Sequence, residues 1–283
     1  MSKIVIILSL FIGTSAFAEN WRPRVVATAK DGTLFVADGV LPGIWERGGN
    51  GEFVLRFQGA KKDRSPLRTI TSLAVADDGT LFAGDSATGE IYQVDRDASP
   101  KPLSGGSFEI PTGLAIAEDG TLFVCDLRLN MVARLPRTGG KPETIARVLA
   151  PRGLAIAEDG DLYVLSMRED QLVKLSLKGE VKTIVKGTPF QLPLALAVDR
   201  RSKDVWVADG DGSTVWKVSP QGKTQAFFGP DVLKRPVAIA TDTLGNLFAA
   251  DAGSGKILRA SPNGKLETIW NGPKAIDPGR KTP

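Results

Sequence analysis

"GLAIAEDGTLFVCD" at Gly113–Asp126 and "GLAIAEDGDLYVLS" at Gly153–Ser166 agree at ten of fourteen positions and start forty residues apart. Each reads as two short apolar runs joined at Asp-Gly. That pair is a hairpin signal, because glycine takes the positive φ of a tight turn. Near-identity at a fixed offset marks a repeated structural unit, which must be settled before any other reading of the fold.

The same grammar extends in both directions. The apolar residue after each turn is Leu34, Leu81, Leu122, Leu162, Val205 and Leu247, with gaps of 47, 41, 40, 43 and 42 residues. After the hairpin comes a third run, such as "EIYQV", "QLVKL" or "TVWKV". A glycine turn follows, then a more polar fourth run such as "EVKTIV" or "KLETIW". Four antiparallel strands written six times predict an all-β fold, a six-bladed β-propeller of four-stranded blades. The expected blades span about 21–60, 68–106, 110–147, 150–187, 192–229 and 235–272 within a propeller of 19–270. An open solenoid would need atypical end caps, whereas the first and last copies are complete. No segment keeps a 3.6-residue period, so helix should be scarce.

Counting back from each anchor, alanine recurs on the first strand at Ala27, Ala74, Ala115, Ala155, Ala197 and Ala240. A small residue in every copy suits strands crowded around an axis, which places the first strand innermost and the polar fourth at the rim. The chain then begins on an inner strand and ends on an outer one. Blades one and six should therefore meet by side-chain packing, without a shared strand.

The pattern "P-x-G-L-A-I-A-x-D-G-x-L-F-V-x-D" resembles the NHL-repeat propellers and the broader senescence-marker-protein/gluconolactonase superfamily. The resemblance runs over nearly all of the chain. It implies a propeller without implying one activity, since this fold hosts many.

Residues that recur at one repeat position serve the blade, and those that break the symmetry are the candidates for function. Asp38, Asp85, Asp126, Asp209 and Asp251 close the second strand, with Ser166 in the fourth copy. They read as scaffold carboxylates accepting backbone N–H groups. Trp45, Tyr92 and Trp216 align on the third strand as inter-blade packing. The chain holds no histidine. That excludes a histidine base, a histidine metal ligand and a Ser-His-Asp triad, so no catalytic residue is assigned.

The resemblance implies instead a divalent cation, such as calcium or zinc, held by carboxylate and asparagine oxygens over the channel. Its ligands would include the residue after the one opening each inner strand. Here those are Arg24, Thr71, Thr112, Arg152, Leu194 and Val237, none of them Asp, Glu or Asn. No metal site and no cofactor is therefore expected. Arg24 and Arg152 stand three blades apart, opposite one another in a ring of six. With Thr71 and Thr112 they form the candidate ligand-binding mouth, suited to a small anion or an acidic protein segment. The leading reading is a non-catalytic propeller that binds a ligand or partner there. The alternative is a gluconolactonase-like, metal-dependent hydrolase of lactones or related esters, whose ligands come from elsewhere.

Met1–Ala18 has the form of an export signal: Lys3, an apolar run over Ile4–Ile12, and the small-x-small site Ala16-Phe17-Ala18. Cleavage before Glu19 would leave an exported chain, periplasmic or extracellular, with no transmembrane anchor. Residues 271–283 read as a loose tail. The single cysteine, Cys125, occupies the repeat position of Ala37, Gly84, Ala208 and Ala250 and reads as a small buried filler. A net charge of +4 with both signs mixed is no nucleic-acid footprint. RNA binding, as in intracellular NHL proteins, also conflicts with export. A monomer is expected.

Overall fold

The computed structural model describes Trp21–Pro273, except Leu41, Lys61, Arg64 and Asp97. The expected export signal, Met1–Ala18, and residues 274–283 lie outside the described residues. Short apolar runs, cut by turns, produce twenty-four strands and no helix among the described residues. They form six four-stranded antiparallel sheets, each a meander in chain order. In the first blade, β1 (Pro23–Thr28), β2 (Leu34–Asp38), β3 (Gly43–Arg47) and β4 (Phe53–Gln58) run from the axis outward.

The inner strands are β1, β5 (Ile70–Val75), β9 (Pro111–Ile116), β13 (Pro151–Ile156), β17 (Pro193–Val198) and β21 (Pro236–Thr241). Each touches the next around the ring, and β21 returns to β1. The Asp-Gly turns make the hairpins as the sequence implies. Gly120 has φ +87°, and Asp119 accepts the Thr121 N–H at 2.8 Å. The longer fifth turn has no glycine at the left-handed position, and Lys203 takes it at φ +63°.

The core is divided into six clusters, one at each blade–blade interface. These clusters explain the recurring alanines. Ala27 shares its cluster with Leu73 of the next blade, Ala74 with Leu114 and Ala115 with Leu154. Ala155 does so with Leu196, Ala197 with Ile239 and Ala240 with Val26. A one-carbon side chain leaves room for the neighbour's aliphatic group, and the exchange repeats around the circle.

Among the described residues, blade one is built wholly from the first four strands and blade six wholly from the last four, and no strand is exchanged at the closure. Aromatic packing seals that seam. Trp270, at the end of β24 (Leu266–Trp270), stacks on Phe53 at 4.0 Å and meets Trp21 at 4.4 Å and Trp45 at 5.3 Å. Trp21 Nε1 donates to the Gly255 carbonyl at 3.0 Å.

Blade two departs from the pattern. Its outer strand, β8 (Lys101–Pro102), has only two residues. The buried Glu90 carboxylate takes over the missing ladder, accepting the N–H groups of Ile91, Leu103, Ser104 and Gly106 and the Ser104 hydroxyl. A buried carboxylate needs such a set of donors to be tolerated.

Candidate functional site

Every inner strand opens with a β-bulge at its second residue. In β1, Pro23 pairs with Asp38 and Val25 with Ala37, which leaves Arg24 unpaired. The same skip falls on Thr71, Thr112, Arg152, Leu194 and Val237. A bulge lifts one residue out of the ladder and re-aims its side chain. Five of the six bulges follow a proline, which has no N–H to lose from the ladder.

The recurring aspartates hold the chain where each bulge begins. Asp126 accepts Glu109 N at 2.7 Å and Ile110 N at 2.9 Å from the segment entering β9, and Arg128 N and Leu129 N at 2.9 Å from the loop leaving its own strand. Asp85, Asp209 and Asp251 make the equivalent pair to Arg68 and Thr69, to Gln191 and Leu192, and to Lys234 and Arg235. In blade four the Ser166 hydroxyl donates to Leu149 O at 2.8 Å in their place. These carboxylates are committed to the scaffold.

The six bulged residues converge on one recess of about 300 Å³ at the channel mouth. All four candidate site residues, Arg24, Thr71, Thr112 and Arg152, lie in its wall, with Leu194 and Val237 on the remaining arc. Neither arginine has a carboxylate partner among the described residues. Arg24 is open to solvent through the mouth, yet partial desolvation and then repulsion from Arg152 lower its pKa, against an opposing pull from Asp85. Burial likewise lowers the pKa of Arg152, whose Nε donates to the Met167 thioether at 2.7 Å. Two cations thus share a recess with no carboxylate paired to either among the described residues.

The threonines are placed as expected but are not free donors. Thr71 Oγ1 donates to Pro111 O at 2.7 Å and Thr112 Oγ1 to Pro151 O at 3.0 Å, each tying its blade to the next. Cys125 lies beneath, fully buried, with its thiol pushed up to about 12 by desolvation. Sequence reasoning missed the bulges and this use of the hydroxyls. The Pro at the head of five of the six inner strands was the available signal for the bulges.

These residues do not suit a divalent cation. The ring carries no carboxylate or amide oxygen, and two guanidinium groups would repel the ion. Among the described residues, no three Cys, Asp or Glu side chains converge elsewhere as a metal site.

Neither the family models nor the curated proteins compared with the chain match it. Solved structures do. Virginiamycin B lyase from Staphylococcus aureus is 17% identical, with a TM-score of 0.66 over 92% of this chain and 86% of that one. A gluconolactonase from Xanthomonas campestris, XC5397, is 18% identical, with a TM-score of 0.69 over 84% and 85%. A nidogen/laminin complex gives 17% identity and a TM-score of 0.69 over 81% and 88%. At this identity the likeness concerns fold alone: the chain is a six-bladed β-propeller similar to those of a lyase, a gluconolactonase and a nidogen/laminin complex.

Proposed function

We propose that this is an exported, non-catalytic propeller that binds an anionic ligand or partner over its channel mouth. Export rests on the Met1–Ala18 pattern. The observation that carries the binding reading is the pair Arg24 and Arg152, which line one recess without a carboxylate partner among the described residues. Partial burial of both side chains, and at Arg24 the repulsion from Arg152, disfavour the charged forms in the folded chain, and a bound anion would offset that cost.

The chemistry of the structural neighbours finds no support here. A histidine-to-alanine variant of the lyase is catalytically inactive, and this chain contains no histidine to play an equivalent part. A metal-dependent lactonase would need oxygen ligands that the ring lacks.

The test uses the mature chain and a panel of phosphate, citrate, simple carboxylates and an acidic peptide. At least one anion should bind the wild type and be lost in the Arg24→Ala/Arg152→Ala double variant, with lactones left intact. Turnover of a lactone that depends on added calcium or zinc would overturn the reading.

A further inference from the structure

Below the bulged ring the channel changes character. In β1, Ala29 N donates to Thr33 O at 2.8 Å where the hairpin turns, and Ala27 and Val25 take the next bonded places, opposite Phe35 and Ala37. An antiparallel ladder bonds every second residue, so Val26 and Thr28 turn their N–H and C=O groups away from β2, towards the axis. The same hairpin bond sets the same alternation in the other five blades. Val26, Leu73, Leu114, Leu154, Leu196 and Ile239 therefore ring a neck of about 110 Å³ with backbone donors and acceptors, while their side chains are buried in the blade–blade clusters. Each offers an N–H beside a C=O. A hydroxyl, which both donates and accepts, answers such a pair; a phosphate or carboxylate only accepts, and an alkyl group does neither. One ring lower the chain answers two such carbonyls with hydroxyls of its own. Thr28 Oγ1 donates to Thr241 O at 2.7 Å and Thr241 Oγ1 to Val198 O at 2.8 Å.

Above the neck stand Arg24 and Arg152, near enough for Arg152 to disfavour the charged form of Arg24, and with no carboxylate partner among the described residues. Two cations at one mouth call for two negative charges. A carboxylate or a phosphodiester brings one. A phosphate monoester brings about 1.5 to 2 at neutral pH, on three oxygens that two guanidinium forks can share. We propose that the mouth takes a small hydroxylated phosphate monoester, its head between Arg24 and Arg152 and its hydroxyls turned down onto the channel-side N–H and C=O groups of the neck. The proposal rests on the reading of the mouth as an anion site and narrows it to this class. A recess of about 300 Å³ lies at the small end of ligand pockets, roughly 300–1,000 Å³, and suits a free small molecule better than an acidic protein segment.

Titration calorimetry of the mature protein with glycerol 3-phosphate, propyl phosphate, glycerate and the diester glycerophosphoglycerol tests this without altering the chain. Glycerol 3-phosphate should bind at least tenfold more tightly than propyl phosphate, which keeps the head and loses both hydroxyls, since each net hydrogen bond is worth roughly fivefold. It should lead glycerate and the diester by at least tenfold as well, because these keep hydroxyls but carry a single charge. Arg24→Gln and Arg152→Gln should each weaken glycerol 3-phosphate at least tenfold with unchanged circular dichroism. Each should also shrink its lead over glycerate, because only one cation remains. Propyl phosphate, glycerate or the diester binding as well as glycerol 3-phosphate, or arginine variants that bind it normally, would overturn the proposal. If citrate or an acidic peptide binds through the arginines and glycerol 3-phosphate does not, this inference falls while the mouth remains an anion site. If no anion binds, both fall.

Discussion

Trp21 and Trp270, from opposite ends of the described chain, sit with ring centroids 4.4 Å apart and close the propeller. With no strand exchanged among the described residues, this aromatic seam joins first and last blades in place of a hydrogen-bonded ladder. Trp270→Ala removes its contacts to Trp21, Trp45 and Phe53 together. It should cost about 3 kcal/mol in denaturant unfolding. Unchanged stability would mean that the closure is held elsewhere.

The mouth arginines should behave in the opposite way. Folding lowers the pKa of both, so their charged forms are disfavoured in the native state. Arg24→Gln and Arg152→Gln should leave stability within about 0.5 kcal/mol or raise it. Added salt should stabilise the wild type more than the double variant, because it screens the repulsion between the two cations. A large loss of stability in either variant would assign that arginine to the scaffold instead.

Asp126 accepts four backbone N–H groups from the two loops that flank its blade's upper end. Asp126→Ala strands those donors and should cost about 3 kcal/mol or more. Asp126→Ser should be milder, since Ser166 fills the same repeat position in blade four and accepts Arg168 N at 3.0 Å. Equal losses in the two variants would deny the hydroxyl its part.

Cys125 should resist thiol reagents at pH 8 until the protein unfolds. Its folded pKa of about 12 lies well above the usual value of roughly 8.5. The neutral thiol is therefore favoured by folding. The associated stability is present in full below about pH 8.5 and is lost as pH rises towards 12. Wild type should lose more stability than Cys125→Ala over that window, and parallel pH curves would refute the assignment.

What the sequence determined by itself is the blade and its sixfold repetition. Short apolar runs and the alanine at each inner-strand position recur in every copy, and Asp-Gly turns in four of the six; all are local patterns. The order of strands within a blade followed too, because short glycine turns allow only neighbours to pair. The closure without an exchanged strand among the described residues was legible too: the first repeat opens on an inner strand and the sixth closes on an outer one. The ring of Arg24, Thr71, Thr112 and Arg152 could be named from repeat position, since equivalent residues of a closed ring share one height along the axis. Only the tertiary structure decided what those residues do. The bulges that turn them into the mouth depend on pairing across two strands. Thr71 and Thr112 spend their hydroxyls on carbonyls about forty residues away, in the next blade, and no local pattern names that acceptor. Glu90 could replace a missing strand only once Leu103, Ser104 and Gly106 were brought around it. Periodicity fixes the secondary structure of each segment, whereas the partner of a hydrogen bond or a charge is chosen by whichever blade folds alongside.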